Sequence, residues 1–436
     1  MIFMDRMRKE IFWIFDWFKG KSIKRHVREL DQFFSRPELA EALNKTRLDK
    51  LLKHASETTK FYKKYSSFKT LADFPVIQKK NIKDNYEGFI SNAYNKRDLY
   101  TTKTSGSYGM PFVFYLTKNK YNRRLAEILY FNQKSGYQMG QPFVQVRTSK
   151  FSKLSLFMNN CVIINPAVIN DEWLEKQRQI LKNKKFHFLI AWPGVLINIA
   201  HYCLKQGDTA SDFSLKGIVC SAEPLSSNSR ETFEKVFGCP VYDRYASQEL
   251  GVIAHECKKC GSYHLNHASL FIEILSLDSN ERVEPGQAGR VVVTDLFSHA
   301  MPIIRYDTGD IAVLEDKNIK CGNIKSVKKI EGRMIETVYN TSGKIVNWGA
   351  IGDIIEKDKK TIDNIIQYQF IQKSKNDYMV KLAVKGSFNN EKYIHAQFKN
   401  LLGDDARIEF KYVDAIKPLP SGKRPVIINQ FYLKAA

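Results

Sequence analysis

Strand and helix patterns alternate in the middle of the chain, and this alternation constrains the fold more than any other feature. Residues 186–192 form an apolar run typical of a buried strand, which ends at Pro193 and Gly194, and a helical pattern follows through Tyr202. Residues 217–220 begin the same cycle again. Because alternating strands and helices are typical of parallel β/α units, we predict an α/β fold.

The pattern changes in the second half of the chain. Between residues 271 and 314 the β-runs are short, which predicts a small, largely antiparallel β subdomain. After residue 331 a hairpin pattern around Gly343 is followed by a helix, a pair of strands and another helix. Because 436 residues exceed what one ordinary core accommodates, we predict a large N-terminal domain of residues 1–331 and a small α+β C-terminal domain of residues 332–436.

The chain is basic, with 68 Lys and Arg residues against 46 Asp and Glu residues and a formal net charge of +22. Such a charge attracts nucleic acid, an anionic membrane or an anionic substrate. Since no run of basic residues is interleaved with aromatic ones, the sequence does not support RNA or DNA binding, and biased lysine usage explains the excess. Seven cysteines, an odd number, do not indicate a disulfide framework and predict a reducing compartment, the cytoplasm.

An apolar stretch lies near the N-terminus at residues 11–18, but Asp16 interrupts it and no small-residue cleavage site follows. It is too short to cross a bilayer, so it predicts neither a signal peptide nor a membrane span. Trp13, Trp17 and Phe18 are flanked by basic residues, which suits a helix that lies on a membrane surface. Packing against the main domain is the preferred interpretation, and a peripheral membrane contact is the alternative.

A glycine- and hydroxyl-rich loop at residues 104–111 joins two β-rich segments, residues 99–102 and 112–116. Glycines let the backbone approach an anion, and hydroxyl and N–H groups donate to phosphate oxygens. The loop lacks the Gly-Lys-Ser/Thr ending of a P-loop, so an ordinary P-loop nucleotidase is disfavoured. A turn without any nucleotide role is the alternative. The candidate phosphate-binding residues are Thr104, Ser105, Gly106, Ser107 and Gly109.

Five further segments follow in a fixed order, and the order is more specific than any one of them. They are Ser221-Ala222-Glu223-Pro224-Leu225, Tyr245-Ala246-Ser247-Gln248-Glu249, Arg305-Tyr306-Asp307-Thr308-Gly309-Asp310, Gly332-Arg333 and Ser421-Gly422-Lys423-Arg424. This series resembles the adenylate-forming (acyl-CoA synthetase/ligase) superfamily. Phe61-Tyr62 and residues 75–79 resemble its phenylacetate-coenzyme A ligase branch, with the CapK-like relatives of capsular polysaccharide biosynthesis. The resemblance covers nearly the whole chain after residue 60.

The resemblance implies a ligase that uses ATP and Mg²⁺ to activate a carboxylic acid as an acyl-adenylate and then transfers the acyl group to coenzyme A. It also implies that the C-terminal domain is a mobile lid, which rotates between the two half-reactions. Lys423 would contact the carboxylate and the α-phosphate, Glu249 would bind Mg²⁺, and Asp310 would bind the ribose hydroxyls. The glycine loop would hold the β- and γ-phosphates. The other residues implied to contact the nucleotide are Ser221, Ala222, Glu223, Pro224, Tyr245, Ala246, Ser247 and Arg333.

Two positions depart from the family pattern. Tyr108 replaces the usual small hydroxyl residue of the phosphate loop, and Ile335 stands where relatives usually have an acidic residue beyond Arg333. The altered hinge motivates an alternative in which the acyl group is transferred to an amine or hydroxyl of a sugar in surface polysaccharide biosynthesis. A third alternative is an inactive nucleotide-binding scaffold, which the retained acidic and lysine motif residues oppose.

Position along the chain suggests where the small carboxylic acid binds. Trp192 and Pro193 follow a predicted strand, Arg244 precedes the Tyr245 motif, and Lys79 ends a segment that carries the family resemblance. We expect Lys79 to meet the carboxylate of the acid, and Arg244 to favour a polar or anionic acid. The sequence identifies neither the acid nor the oligomeric state, although an oligomer is compatible with it.

A Cys-x-x-Cys motif with nearby imidazoles lies within residues 255–267, and a further cysteine is followed by glycine in a similar turn. The pattern is typical of a structural zinc knuckle, and relatives carry Cys and His in this region. A Cys-x-x-Cys without metal is the alternative, and the surroundings do not suggest a redox role. The predicted Zn²⁺ ligands are Cys257, Cys260, His264 and Cys321, with His255 and His267 as reserves.

Overall fold

The computed structural model describes most of the chain. The described residues are 3–103, 113–148, 156–157, 160–166, 169–315, 321, 324–333, 338–346, 348–356, 365–386, 388–417 and 426–431. Several residues singled out in the sequence lie outside these ranges. They are the phosphate-loop residues Thr104, Ser105, Gly106, Ser107, Tyr108 and Gly109, the hinge residue Ile335 and the predicted catalytic Lys423.

The chain begins with helices, alternates between strands and helices in its middle, and continues with consecutive strands over residues 241–346 before the last helices and strands. The described helices are α1 (Phe3–Phe18), α2 (Ser22–Ser35), α3 (Pro37–Thr58), α4 (Lys79–Asp84), α5 (Lys118–Lys134), α6 (Asp171–Lys182), α7 (Pro193–Lys205), α8 (Ser227–Phe237), α9 (Trp348–Glu356) and α10 (Glu391–Leu402). The described strands are β1 (Tyr100–Lys103), β2 (Val113–Leu116), β3 (Phe143–Val146), β4 (Cys161–Ile164), β5 (Phe188–Ala191), β6 (Gly217–Ser221), β7 (Val241–Ser247), β8 (Gly251–Glu256), β9 (Tyr263–Leu265), β10 (Leu270–Leu275), β11 (Ala288–Asp295), β12 (Tyr306–Leu314), β13 (Ser326–Arg333), β14 (Val338–Tyr339), β15 (Ile345–Val346), β16 (Ile365–Gln372), β17 (Asp377–Val384), β18 (Arg407–Tyr412) and β19 (Ile427–Asn429).

A mixed sheet of 11 strands organises the N-terminal part, in the order β10-β11-β12-β13-β9-β8-β7-β6-β5-β3-β4. Strands β4, β3, β5, β6 and β7 are parallel neighbours. From β7 to β10 every pairing is antiparallel. The predicted α/β class is therefore confirmed, and the antiparallel strands predicted between residues 271 and 314 continue the same hydrogen-bonded sheet.

The parallel half of the sheet is covered by helices that follow its strands. Helix α7 begins at Pro193, whose ring fixes a helical φ angle, immediately after the extended Trp192. Leu196 and Ile199 lie three residues apart on one face of α7, and both are fully buried against Leu189 of β5. Full burial of one such aliphatic side chain contributes about 1.5–3 kcal/mol, so this helical face fixes α7 on the sheet.

A second core joins the antiparallel strands to residues 61–82. Arg305 has a left-handed backbone, with φ of 47°, and its buried guanidinium pairs with Glu273 at 3.1 Å. The same guanidinium donates to the backbone carbonyl of Phe74 at 3.1 Å. Ile77 then forms a parallel bridge with Tyr306. These bonds hold the segment before α4 against the start of β12.

Helix α5 is fixed by buried ion pairs. Arg123 is fully buried and lies 2.6 Å from Glu29 of α2. Lys120 lies 2.6 Å from Asp295 of β11, and both side chains are fully shielded from solvent. A buried charge that loses its partner is costly, so these pairs favour one packing of α2, α5 and the sheet.

Residues 338–429 contain a separate core around a four-stranded sheet in the order β18-β17-β16-β19. Ile351 of α9, Phe398 of α10 and Phe370 of β16 are fully buried in it. The predicted hairpin around Gly343 is confirmed by the pairing of β14 with β15. The predicted domain boundary after residue 331 falls within β13, and the division into two domains remains a prediction.

The structure also answers whether a helix could span a membrane and whether the cysteines form disulfides. In the ranges that the structure describes, no helix has both the length and the apolar character needed to cross a bilayer. All seven cysteines are free thiols.

Candidate active site

The carboxyl ends of three neighbouring parallel strands form the edge at which the predicted site residues meet. In the registers of β5, β6 and β7, Ala191 pairs with Cys220 and Ser221 pairs with Arg244. Ligands of open α/β sheets bind in the crevice outside such carboxyl ends. Residues 192–193, 221–224 and 244–249, which are far apart in sequence, therefore lie at one edge of the sheet.

Tyr245 and Asp310 are joined directly. The Tyr245 hydroxyl donates to the Asp310 carboxylate, and it lies 3.1 Å from Thr308 Oγ1. The backbone N–H of Asp310 donates to the same Thr308 oxygen at 3.1 Å. An aromatic face and a half-exposed carboxylate are thus fixed side by side, which suits a purine ring and the ribose attached to it.

The two aspartates of the 305–310 segment have different environments. Asp307 is buried, and Arg290 lies 2.7 Å from its carboxylate. Its backbone N–H donates to the carbonyl of Ile77 at 2.8 Å. Asp307 therefore forms bonds that hold the fold together, whereas Asp310 is half-exposed beside Tyr245.

The loop after β6 is strained and is tied to α7. Ala222 has φ of 72°, a left-handed conformation that residues with a Cβ rarely adopt. Glu223 Oε2 accepts a hydrogen bond from the backbone N–H of Gly194 at 2.8 Å. This bond brings Trp192 and Pro193, which begin α7, beside residues 221–224. Trp192 is half-buried and Pro193 is buried.

Glu249 lies in the turn between β7 and β8, close to the strand that leads into the glycine loop. Thr102 of β1 donates to the side-chain oxygen of Gln248 at 3.2 Å. The carbonyl of Leu250 accepts from the buried Lys120 Nζ at 3.3 Å. Both neighbours of Glu249 are therefore held in place, and Glu249, which is half-buried, follows directly after the residue that contacts the described stem of the predicted phosphate loop.

Arg333 and Lys79 lie beside the same segment of β12. The backbone of Arg333 pairs with Asp310 in the β12–β13 register. Lys79, half-buried, begins α4 just after Ile77, whose N–H donates to the carbonyl of Arg305 at 2.9 Å. The backbones of Arg333 and Lys79 therefore both lie close to the segment that contains Asp310.

Arg244 is a buried cation with few partners. Its Nη2 donates to Asn132 Oδ1 of α5 at 2.5 Å, and its Nε has no hydrogen-bond partner among the described residues. Burial lowers the pKa of Arg244 to about 10, and no carboxylate in the described ranges raises it. Across the β7–β8 register lies His255, whose Nδ1 is likewise buried without a described partner. The unpaired Arg244 donor, held in a dry environment, suits an anionic or polar ligand group.

Sequence reasoning missed several residues that build this edge. Asn132 and Lys120 of α5, together with Asp295 of β11, contact the predicted site residues or their neighbours. None of them belongs to a motif. The only signal in the sequence is the occurrence of polar side chains among the apolar positions of an amphipathic helix, which does not identify their partners.

The four predicted metal ligands form a cluster near the opposite end of β8. The ligand atoms of Cys257, Cys260, His264 and Cys321 all lie within 4.8 Å of one another. Cys257 Sγ lies 3.7 Å from Cys321 Sγ, and Cys260 Sγ lies 3.4 Å from His264 Nε2. Burial lowers the pKa of His264 to about 4, so its imidazole is neutral at pH 7.

The two reserve histidines lie outside the cluster. The Nε2 of His255 is 2.7 Å from the hydroxyl of Ser135, and the Nδ1 of His267 is 3.1 Å from the carbonyl of Leu265. The cluster therefore consists of three thiols and one imidazole, which is a donor set that Zn²⁺ prefers.

Comparison with known proteins finds relatives over most of the chain. Residues 338–430 match the CapK C-terminal domain family. Protein CapK of Staphylococcus aureus is 25% identical over an alignment of 439 positions that covers 94% of each chain. Phenylacetate-coenzyme A ligase of Aromatoleum evansii is 23% identical over 395 residues, which cover 85% of this chain and 87% of the relative. A solved structure of 2-hydroxyisobutyryl-CoA ligase in the postadenylation state, in complex with R3-HIB-AMP, has a TM-score of 0.72 at 16% identity over 92% of this chain and 91% of that chain, which shows a shared fold.

Proposed function

We propose that this chain, which is similar to CapK and to phenylacetate-coenzyme A ligases, activates a carboxylic acid with ATP and transfers the acyl group to coenzyme A. The observation that carries the proposal is the Tyr245–Asp310 pair at the carboxyl edge of β7, with Glu249 in the next turn. We assign the aromatic ring of Tyr245 to adenine, the Asp310 carboxylate to the ribose hydroxyls, and the Glu249 carboxylate to a metal ion at the phosphates.

In the first half-reaction a carboxylate oxygen of the acid attacks the α-phosphorus of ATP. The new P–O bond forms as the bond to pyrophosphate breaks, so the products are acyl-AMP and pyrophosphate. Tyr245 holds the adenine, Asp310 accepts hydrogen bonds from the ribose, and Glu249 would hold a Mg²⁺ ion that neutralises phosphate charge when bound. Lys423, assigned by resemblance, stabilises charge on the α-phosphoryl group.

In the second half-reaction the sulfur of coenzyme A attacks the carbonyl carbon of the acyl-AMP. The C–O bond to AMP breaks, the thiol proton is released, and the thioester and AMP are the products. Relatives solved with ligands include 2-hydroxyisobutyryl-CoA ligase with 2-HIB-AMP and CoA, which motivates this acceptor.

The test of the first step is pyrophosphate release from MgATP across a panel of aryl, fatty, amino and sugar acids. We expect release with one class of acid and none without acid. ATP binding without release for any acid would instead support the inactive nucleotide-binding scaffold.

A second candidate acceptor is an amine or hydroxyl of a sugar. The similarity to CapK extends over nearly the whole of both chains, and Ile335 alters the hinge motif, which favours this alternative. Mass spectrometry of the products decides between the two. A thioester formed efficiently with coenzyme A alone supports the ligase, and an amide or ester formed only with a sugar acceptor supports the alternative.

Arg244 gives a prediction about the acid. We propose that its guanidinium binds a second anionic or polar group of the substrate, because its Nε is buried and has no hydrogen-bond partner among the described residues. Arg244→Met should lower kcat/KM for a dicarboxylic acid by roughly 100-fold and leave kcat/KM for the matching monocarboxylic acid nearly unchanged. The exposed Arg97→Met is the control. An equal loss with both acids would show that Arg244 only supports the fold.

The thiol cluster gives a prediction about metal. In a tetrahedral site with Zn–S bonds of about 2.3 Å, two sulfurs lie about 3.8 Å apart and a sulfur and an imidazole nitrogen about 3.6 Å apart. The observed 3.7 Å and 3.4 Å fit these separations, so we propose a structural Zn²⁺ held by Cys257, Cys260, His264 and Cys321.

We therefore expect about one zinc per chain by elemental analysis of the purified protein. Cys260→Ser should lose the metal and lower the melting temperature, because a closed structural site contributes folding free energy. Cys161→Ser, at a thiol remote from the cluster in sequence, should retain it. A protein that folds normally in chelator and contains no zinc would support the metal-free alternative.

A further inference from the structure

Helix α1 carries an unusual share of the exposed apolar surface. Among the described residues, 20 large apolar side chains are exposed, and seven of them lie on this single 16-residue helix. They are Phe3, Met4, Met7, Ile14, Phe15, Trp17 and Phe18, exposed by between 46% and 80%. Exposed apolar surface on this scale, confined to one element, marks an interaction surface.

The seven side chains occupy one side of the helix. At about 100° per residue they fall within an arc of about 160°. Arg8 lies just beyond one edge of this arc and Arg6 just beyond the other, and Glu10 is the only charged residue within it. We call this arc the apolar face of α1. An apolar arc bordered by arginines is typical of helices that lie in the plane of a membrane interface.

The opposite side of α1 fixes the helix on the protein. Asp5 and Asp16 are buried on that side. The Asp16 carboxylate accepts hydrogen bonds from the backbone N–H groups of Ile23 and Lys24, each at 2.9 Å, at the start of α2. Gly140 approaches the backbone of Asp5 so closely that an added Cβ would lie 2.1 Å from its carbonyl oxygen. These contacts hold the polar side inward, so the apolar face is turned to solvent.

The charge around α1 identifies the partner. Residues 3–28 contain eight Lys and Arg residues and three acidic ones, of which Asp5 and Asp16 are buried. Lys21 and Lys24 lie 5.8 Å and 5.6 Å from the ring centroids of Trp17 and Trp13. A second copy of this chain, with its net charge of +22, would be repelled by these basic residues because it carries like charge. An anionic lipid surface complements both the apolar face and the basic residues around it.

We propose that α1 docks this protein on an anionic lipid bilayer, with its axis in the membrane plane and the apolar face inserted at the level of the headgroups. The helix is too short to span a bilayer, which requires about 20 apolar residues, so docking is peripheral. This role is independent of the proposed ligase activity. It would bring the candidate active site to a membrane at which an acceptor is presented.

The test is cosedimentation of the full chain with phosphatidylcholine vesicles, with and without phosphatidylglycerol. We expect binding to the anionic vesicles, weakened by salt, and little binding to the neutral ones. The double variant Phe15→Glu and Phe18→Glu should lower the partition coefficient by at least roughly tenfold. Because both side chains are exposed, the variant is expected to fold, which circular dichroism checks.

The matched control is Leu39→Glu with Leu43→Glu on α3. These leucines are also exposed and lie one helical turn apart, and their replacement should leave vesicle binding unchanged. Equal binding of the α1 variant and the wild type would overturn the proposal. So would absence of binding to anionic vesicles, or a dimer in analytical ultracentrifugation that the α1 variant abolishes, since that result would assign the apolar face to a second copy.

Discussion

Replacing Glu249 by glutamine is expected to lower acid-dependent pyrophosphate release by roughly 100-fold or more. Glu249 is half-buried in the turn between β7 and β8, next in sequence to Gln248, which bonds to Thr102 at the stem of the glycine loop. Glutamine keeps the size of the side chain but removes the negative charge that a hard cation requires. The measurement is kcat and kcat/KM for ATP as a function of Mg²⁺ concentration, and the variant should need more Mg²⁺.

The control for this variant is Glu231→Gln, an exposed carboxylate of α8. It should leave the rate and the Mg²⁺ requirement unchanged. If Glu249→Gln retains wild-type rates at every Mg²⁺ concentration, Glu249 is a surface carboxylate, and the metal site must lie elsewhere.

Replacing Lys423 by alanine is expected to lower the rate of adenylation by roughly 100- to 1,000-fold, with little change in ATP binding. The resemblance places its ammonium against the carboxylate and the α-phosphoryl group, where charge develops only as the reaction proceeds. A group that acts in the transition state lowers kcat when it is removed. Single-turnover formation of acyl-AMP measures this step, and equilibrium titration with ATP measures binding.

Lys417→Ala is the matched control, because Lys417 is an exposed lysine shortly before the same segment. It should retain the wild-type rate. A Lys423→Ala protein that forms acyl-AMP at the wild-type rate would show that the lysine of this motif has no part in adenylation.

The sequence predicted the fold where local pattern decides it. The strand at residues 186–192 and the helix after Pro193 appear as β5 and α7, because an apolar run and a proline at the first helical turn are local signals. The spacing of Cys257 and Cys260 likewise predicted a cluster that the structure brings together with His264. In a short motif of this kind, the spacing of the ligands in the sequence is enough to bring them close together.

The remaining features depend on contacts between distant segments. The local pattern around Asp307 does not show that this carboxylate is buried, because the ion pair that holds it involves Arg290 on another strand. Lys120 meets Asp295 across a large sequence separation, and no local pattern encodes that pairing. The exposure of the apolar face of α1 depends on where Asp16 bonds, which the periodicity of the helix does not reveal.

The fate of the carboxylate oxygens of the substrate tests the central claim most directly. Once the acid panel has identified a substrate, the reaction is run with that acid labelled with ¹⁸O in its carboxyl group, and the products are analysed by mass spectrometry. Adenylation predicts that one labelled oxygen appears in AMP, because the acid oxygen that attacks the α-phosphorus stays there when the acceptor displaces AMP. Unlabelled AMP, or label in inorganic phosphate, would contradict acyl-adenylate formation.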